Sequence, residues 1–592
     1  MYKSMRIFRT ITAAIMTVFI LGSFTISRAA TQPDLPPQSL LKISVLATSD
    51  IHGHIIDWNY LIPKTDDVGL AKIYTLVKRE RQANPYTILV DAGDMLQGTP
   101  LTTYYAKSTN WKVHPMVQMY NFMGYDALTL GNHEFNYGTQ YLAKAIAGAN
   151  FPVLSANTYD IKTGKIWPAV KPYTIKQVEA NVDNKKVKIK IAIIGVTTKA
   201  IPNWENEQNY AGLEFRDQVE TVKAIVEKIK DKVDAIVVVS HSGVEIEGQE
   251  SIPGENQVAA IAQACPEISL IVSGHKHQVL DNNTVIKDAN KQVLYGHSAI
   301  NGVAIVSPGR WGNYLAKADL TFTKFGNRYW FTNATTSNIP TVGVAPDREL
   351  SNIAWPYHDA TLQYLNSTIG KAAETFNSDK ATVQDTAMID LVNDVQRYYT
   401  KADLSAAAMF NPKAVIKAGP VKLQDISSLY LYENFLYAVK INGAQLKQYL
   451  EHAARYYKQF KPGDIAVGTN GQDGSISDYN YDMIQGVKYT IDISQPIGSR
   501  IKNLTYKDTP VKENDVFSLA LNDYRFNGGG GYMAAMGFDK GHMPEVTFDS
   551  QKAFGDEGQV RELLIRYVKE KGTINPVVDN NWSIDTGTQR KN

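Results

Sequence analysis

Five times in its first half the chain runs a short apolar segment straight into a cluster of polar, metal-ligating side chains. These clusters are Asp50-Ile-His52, Asp91-Ala-Gly-Asp94, Gly131-Asn-His133, Ser240-His241 and Gly274-His-Lys-His277. Residues 43–48, 86–90, 127–130, 187–195, 235–240 and 268–273 read as buried strands. Residues 69–83, 113–122, 141–146, 215–232 and 256–265 have helical spacing. Such alternation predicts an α/β layered domain. Sites in these folds gather at the carboxyl ends of strands, so five ends can build one site.

The residue types in those clusters define the chemistry. Asp50, His52, Asp94, Asn132, His241, His275 and His277 are all metal-ligand types. Hard cations take carboxylate and amide oxygens, and borderline cations also take imidazole. A mixed Asp/His/Asn set suits two borderline ions that share one carboxylate. Two ions about 3.5–4 Å apart can clamp a phosphate and ionise a water between them. The ligand set accepts manganese, zinc, cobalt or iron and does not choose among them.

The rest of the chain narrows the setting. At 592 residues it is too long for one core and should form at least two domains. Lys3, Arg6 and Arg9 precede an uncharged stretch over residues 11–25, and Ser27-Arg28-Ala29 fits a small-x-small cleavage site. Residues 1–29 therefore read as a signal peptide; the alternative is a retained anchor, though the stretch is shorter than the roughly 20 residues of a span. The expected location is secreted, periplasmic or cell-wall-associated, with no stable membrane anchor after cleavage. Cleavage would change the formal charge from +2 to −2, leaving 57 basic against 59 acidic residues. A nearly neutral chain has no general attraction for nucleic acid polymers, whereas small anions need only a local site. The one cysteine, Cys265, excludes an internal disulfide and reads as a small buried hydrophobe.

The segment 303–331 alternates like surface strands, and Pro340, Pro346 and Pro356 follow. We place a boundary near residue 345 and a connecting helix over 349–365. A second α/β unit follows, with helices over 382–399, 444–457 and 559–569 and strands over 435–441, 487–493 and 516–521. Residues 463–482 read as a loop, and Gly528 to Gly531 form a four-glycine loop.

The ordered motifs D-x-H, G-D, G-N-H-E, H and G-H-x-H resemble the calcineurin-like metallophosphoesterases. They stand here as Asp50-Ile-His52, Gly93-Asp94, Gly131-Asn-His-Glu134, His241 and Gly274-His-Lys-His277. The resemblance implies a four-layer α/β/β/α domain over 42–344 with two divalent metal ions. Asp50, His52 and His277 would hold one ion, Asn132, His241 and His275 the other, and Asp94 would bridge. His133 would be the catalytic proton donor to the leaving oxygen, while a bridging hydroxide attacks phosphorus in line.

The second half is similar to the C-terminal domain of 5′-nucleotidases, expected over 371–575 after a linker at 345–370. The matching segments are Leu429-Tyr-Leu-Tyr-Glu-Asn434, Ile441-Asn-Gly-Ala-Gln-Leu446 and Asp523 to Tyr532. The resemblance implies that Tyr432 and Tyr532 sandwich the base beside Gly529 and Gly530, and that the two domains close about the linker.

Two departures point to one branch. Asn136 stands where 5′-nucleotidases carry an aspartate beside the catalytic histidine, so the imidazole should be less strongly raised. Met409-Phe-Asn411-Pro-Lys stands where they carry a glycine-rich segment ending in arginine, which puts Asn411 at the substrate. Both look like the bifunctional 2′,3′-cyclic-nucleotide 2′-phosphodiesterase/3′-nucleotidases, with 2′,3′-cyclic nucleotides and 3′-nucleotides as substrates. The alternatives are a 5′-nucleotidase or nucleotide-sugar hydrolase, and a secreted nucleotide-binding or adhesive protein without catalysis. Among the other histidines, His54 follows the metal motif by two residues and reads either as support for the ligands or as a surface residue, His297 is a candidate for the site edge, His114 for the site entrance or a helix, and His358, His452 and His542 for structural or exposed roles.

Overall fold

The computed structural model describes residues 39–587 except 109, 246–251, 288–292, 296–298 and 540. The signal-peptide segment and His297 lie outside the described residues.

The main strands of the two large sheets in the first half are β1 (Leu40–Thr48), β2 (Thr87–Asp91), β3 (Ala127–Thr129), β4 (Val153–Leu154), β5 (Tyr173–Val182), β6 (Lys185–Thr197), β7 (Ala235–His241), β8 (Leu270–Ser273), β9 (Val279–Leu280), β10 (Val303–Pro308), β11 (Tyr314–Phe325) and β12 (Arg328–Pro340). One sheet has the order β12-β11-β1-β2-β3-β4, and the other runs β9-β10-β8-β7-β6-β5 with Ala299–Ile300 paired to β10.

Side chains alternate across a strand, and the alternation builds four layers. Ile43, Val45 and Ala47 of β1 meet Ile189, Ile191 and Ile193 of β6 and Val237 and Val239 of β7 in a core between the sheets. Leu46 points the other way, into a core with Leu70, Ile73 and Leu76 of the helix Leu70–Ala83. Ile194, Val196, Ile236 and Val238 likewise face Val222 and Ile261 of the helices Gln218–Ile229 and Val258–Ala264. Strands covered on both faces become continuous apolar runs, which is what β7 and β8 show. The arrangement is α/β/β/α. Cys265 is buried in the outer helical layer.

Two expectations need correction. The segment 303–308 is not a surface strand: all six residues of β10 are buried, with Ala304 and Val306 in the core between the sheets and Val303 and Ile305 under the outer helices. Surface-like alternation begins only at β11. In the second half, the helix expected from 382 starts at Ala387, after Thr386 takes extended dihedrals.

The connecting helix Arg348–Leu365 is capped by Asp347, whose carboxylate accepts the Leu350 N–H at 2.9 Å. It packs on the first domain: Tyr60 bonds His358 at 2.9 Å, Lys78 pairs with Asp347 and Tyr357 with Gln118. The second domain begins at the strand Thr368–Ala372, directly after Asn366 and Ser367. Its main sheet orders Asp482–Gln485, Leu404–Ala408, Val516–Asn522, Leu436–Asn442 and Val546–Asp549. Among the described residues no helix is long and apolar enough to cross a membrane.

Candidate metal centre

The ends of β1, β2, β7 and β8 and the turn after β3 bring all seven proposed ligands together. The loops are zipped by main-chain bonds: Asp50 N–H to Gly93 O and His52 N–H to Asp94 O, both 2.8 Å. Ligand atoms of Asp50, His52 and His277 lie within 4.8 Å of one another, as do those of Asp50, Asp94 and His241. His52 Nε2 is 3.1 Å from His277 Nε2, which is 3.3 Å from Asp50 Oδ1. On the other side, Asn132 Oδ1 is 3.1 Å from His241 Nε2 and 2.9 Å from His275 Nδ1. Asp94 Oδ2 stands between the two groups, 3.0 Å from His241 Nε2 and 3.9 Å from His52 Nε2.

Backbone strain marks the same place. Asp50, His52, Asp94, His275 and His277 all have φ between 49° and 71°. Left-handed dihedrals cost side-chain-bearing residues about 1–3 kcal/mol each and persist where the surroundings enforce them. Gly131 is required by close approach, since a Cβ there would lie 2.2 Å from Asp94 Oδ1.

The donor set fits divalent cations. His52 and His241 give their Nδ1 protons to the carbonyls of Gln97 (2.9 Å) and Ala92 (2.7 Å), so each Nε2 faces inward. Burial pushes the His52 imidazole down to about 3, leaving it neutral and fit to ligate. Burial opposes a charge on His241, yet the Asp94 carboxylate beside it lifts it to about 10. His275 would ligate through Nδ1, because its Nε2 is 3.0 Å from Glu255 Oε1.

His133 is turned differently. Its Nδ1 proton goes to Asn136 Oδ1 at 2.7 Å, and its ring meets His52 edge-on at 5.2 Å. Asn136 in turn donates to Glu205 Oε2 at 2.6 Å. Negative charge therefore does stand behind the imidazole, one residue further out than an aspartate would place it. Burial opposes protonation of His133, but Asp94 and Asn136 outweigh it and raise the group above its ordinary value.

Some residues of the centre have roles that the motif spacing does not reveal. Glu134, fully buried, accepts the N–H groups of Asp94 (2.8 Å), Met95 (2.7 Å), Leu96 (3.2 Å) and Gly131 (2.6 Å). It ties the bridging loop to the histidine loop. Arg310 lies over Trp311 at 4.0 Å, with Nη1 3.3 Å from His277 Nδ1. It supplies a cation at the His277 rim. Glu255 was also missed, because its role is to orient His275.

The second domain faces the centre across a cavity of about 1050 Å³ whose lining includes Asn132, His133, Glu433 and Phe526. Tyr432 is 44% exposed and meets Phe410 edge-on at 5.0 Å. Tyr532 is placed otherwise than expected. It is fully buried, packed on Tyr449 (4.3 Å), His452 (4.6 Å) and Arg525 (4.8 Å), and its hydroxyl donates to Asn480 O at 2.8 Å. No face of that ring is open to a base. The open ring of the segment is Tyr524, also 44% exposed. Gly529 serves it: a Cβ there would sit 2.5 Å from the Tyr524 ring. Gly530 has φ 72° and its carbonyl accepts from His452 Nε2 at 2.7 Å. Asn411 is committed to its own loop, donating to Ser428 O at 2.8 Å and accepting from Lys413 N–H at 3.1 Å. His114 caps a helix, accepting the Met116 N–H at 3.3 Å, and His54 stacks on Trp311 at 5.0 Å. His542 is exposed.

Comparison with known proteins agrees with this geometry. Residues 43–279 match the calcineurin-like phosphoesterase family, and residues 368–536 match the 5′-nucleotidase C-terminal domain. The chain is thus a metal-dependent phosphoric ester hydrolase of calcineurin-like type. It belongs to the two-domain family that includes the 2′,3′-cyclic-nucleotide 2′-phosphodiesterase/3′-nucleotidases: it is 31% identical to the Salmonella typhimurium protein of that name, over 92% of this chain and 88% of the relative. It is 33% identical to the trifunctional nucleotide phosphoesterase YfkN of Bacillus subtilis over 92% of this chain, and spans only 39% of that longer protein. A candidate 5′-nucleotidase from Staphylococcus aureus shares the fold, with a TM-score of 0.64 and 23% identity over 92% of this chain and all of that one.

Proposed function

We propose that the protein is a 2′,3′-cyclic-nucleotide 2′-phosphodiesterase and 3′-nucleotidase with a dinuclear centre. The observation that carries the reading is the position of Asp94, whose carboxylate stands between two ligand groups beside the inward-facing His133 loop. Two divalent cations held there would polarise phosphoryl oxygens and ionise a water. Likeness to relatives named for both activities supports the choice of ester.

The chain's own residues do the remaining work. Arg310 offers charge to the phosphate at the His277 rim. His133, oriented by Asn136 and Glu205, hands a proton to the departing ribose oxygen. Tyr432 and Tyr524 offer the base two open rings, a platform indifferent to base identity. Each half-reaction breaks one P–O bond and protonates one alkoxide, so the same groups serve the cyclic diester and then the monoester. The basic, then apolar, then small-x-small pattern of residues 1–29 supports export, which N-terminal sequencing of the mature protein checks.

A time course with 2′,3′-cyclic AMP tests the reading. Chromatography should show 3′-AMP rising and falling ahead of adenosine and phosphate. Accumulation of 2′-AMP, or no turnover of the cyclic diester, would overturn it.

A further inference from the structure

Tyr432 is followed by Glu433, which reaches across to the first domain. One carboxylate oxygen of Glu433 takes the side-chain N–H of Gln97, the residue whose main-chain carbonyl orients His52. The other lies 3.7 Å from Arg561 Nη1. Arg561 already donates to Tyr430 O at 2.9 Å and Leu431 O at 3.1 Å, so it offsets the charge of Glu433 only in part. The Glu433 side chain stays 23% exposed and lines the interdomain cavity with Asn132 and His133.

This puts a carboxylate at the junction between the ring platform and the metal centre. A nucleotide that rests its base on the platform and its phosphate at the centre has its ribose at that junction. A carboxylate accepts short, strong hydrogen bonds from hydroxyls. It repels a second phosphate, and like-charge juxtaposition is a common device for rejecting wrong ligands. We propose that Glu433 is a specificity-determining residue: it accepts a hydrogen bond from a free ribose hydroxyl and selects against nucleotides that carry a second phosphate on the sugar. The inference rests on the nucleotide phosphoesterase reading above, but not on which ester is cut.

The test uses the full-length, manganese-loaded protein and the ratio of kcat/KM for 3′-AMP to that for adenosine 3′,5′-bisphosphate. The wild type should favour the monophosphate by about tenfold or more, the effect of one unfavourable charge contact. Glu433→Gln should cut that ratio at least about fivefold, and Glu433→Asp should restore most of it. An unchanged ratio in Glu433→Gln, or an equal loss on both substrates, would overturn the proposal and leave Glu433 as a tie between domains through Gln97. A wild type that does not discriminate would overturn it too. If the wild type cleaves 5′-AMP and not 3′-AMP, the choice of ester fails separately, and the ratio is read with 5′-AMP against the same bisphosphate.

Discussion

Asn136 Oδ1 receives the Nδ1 proton of His133 at 2.7 Å, which leaves Nε2 of the imidazole as the atom that can exchange a proton with substrate. A general acid matters most when the leaving group is poor. His133→Ala should therefore lower kcat on 3′-AMP by about 10²–10⁴ and on p-nitrophenyl phosphate far less. Asn136→Ala should show the same leaving-group pattern at about a tenth of the effect or less, because the ring loses its orientation and not its proton. Equal losses on both substrates would assign His133 to ligand support instead.

Glu134 holds four main-chain N–H groups in a site with no access to water. Leaving buried donors unpaired costs about 1–3 kcal/mol each. Glu134→Ala should lower the melting temperature and reduce bound metal measured by elemental analysis, since the loops of Asp94 and Asn132 lose their common anchor. Normal metal content and stability would show that the loops hold without it.

The two tyrosines of the glycine-rich segment should separate cleanly. Tyr524→Ala removes an open stacking surface and should raise KM for nucleotides by about 5–100-fold, matching the roughly 1–3 kcal/mol of a base–ring contact. Tyr532→Ala should instead destabilise the second domain by about 3–5 kcal/mol, the cost of deleting a large buried ring. Urea unfolding beside steady-state kinetics checks both.

Asp390 is 3% exposed and shares a cluster with Asp385 and Asp579. Burial, with the charge of Asp385, pushes its carboxyl up to about 8. The folded state then keeps a proton between about pH 4 and 8 that the unfolded chain has lost, so stability falls as pH rises through this window. Asp390→Asn should remove that fall. Its melting temperature should exceed the wild type's at pH 8.5, with the gap closing toward pH 5; a gap independent of pH would contradict the assignment.

Much of the centre was legible in the sequence because its ligands are fixed in two local ways. Each stands at the end of an apolar strand, and each is a side chain whose chemistry announces itself. The roles of Glu134, Glu255 and Gln97 are not legible because they act through main-chain N–H groups, a neighbour's ring nitrogen or a carbonyl, even though Glu134 stands inside the Gly131-Asn-His-Glu134 motif. Tyr532 was misplaced for a related reason. A tyrosine beside a glycine run reads alike whether its ring faces solvent or the helix Gly443–Ala454, and packing on Tyr449 decides which. Residues 303–308 read as a surface strand because periodicity does not reveal that both faces of β10 are covered, one by the facing sheet and one by the outer helices.

The central claim is that this centre works on phosphate at the 2′ and 3′ oxygens of ribose. The most direct measurement is kcat/KM for 2′,3′-cyclic AMP, 3′-AMP and 5′-AMP in parallel, with manganese and with chelator. The account predicts fast turnover of the first two, slow turnover of the third, and loss of all three on chelation. Preference for 5′-AMP, or activity that survives chelation, would contradict it.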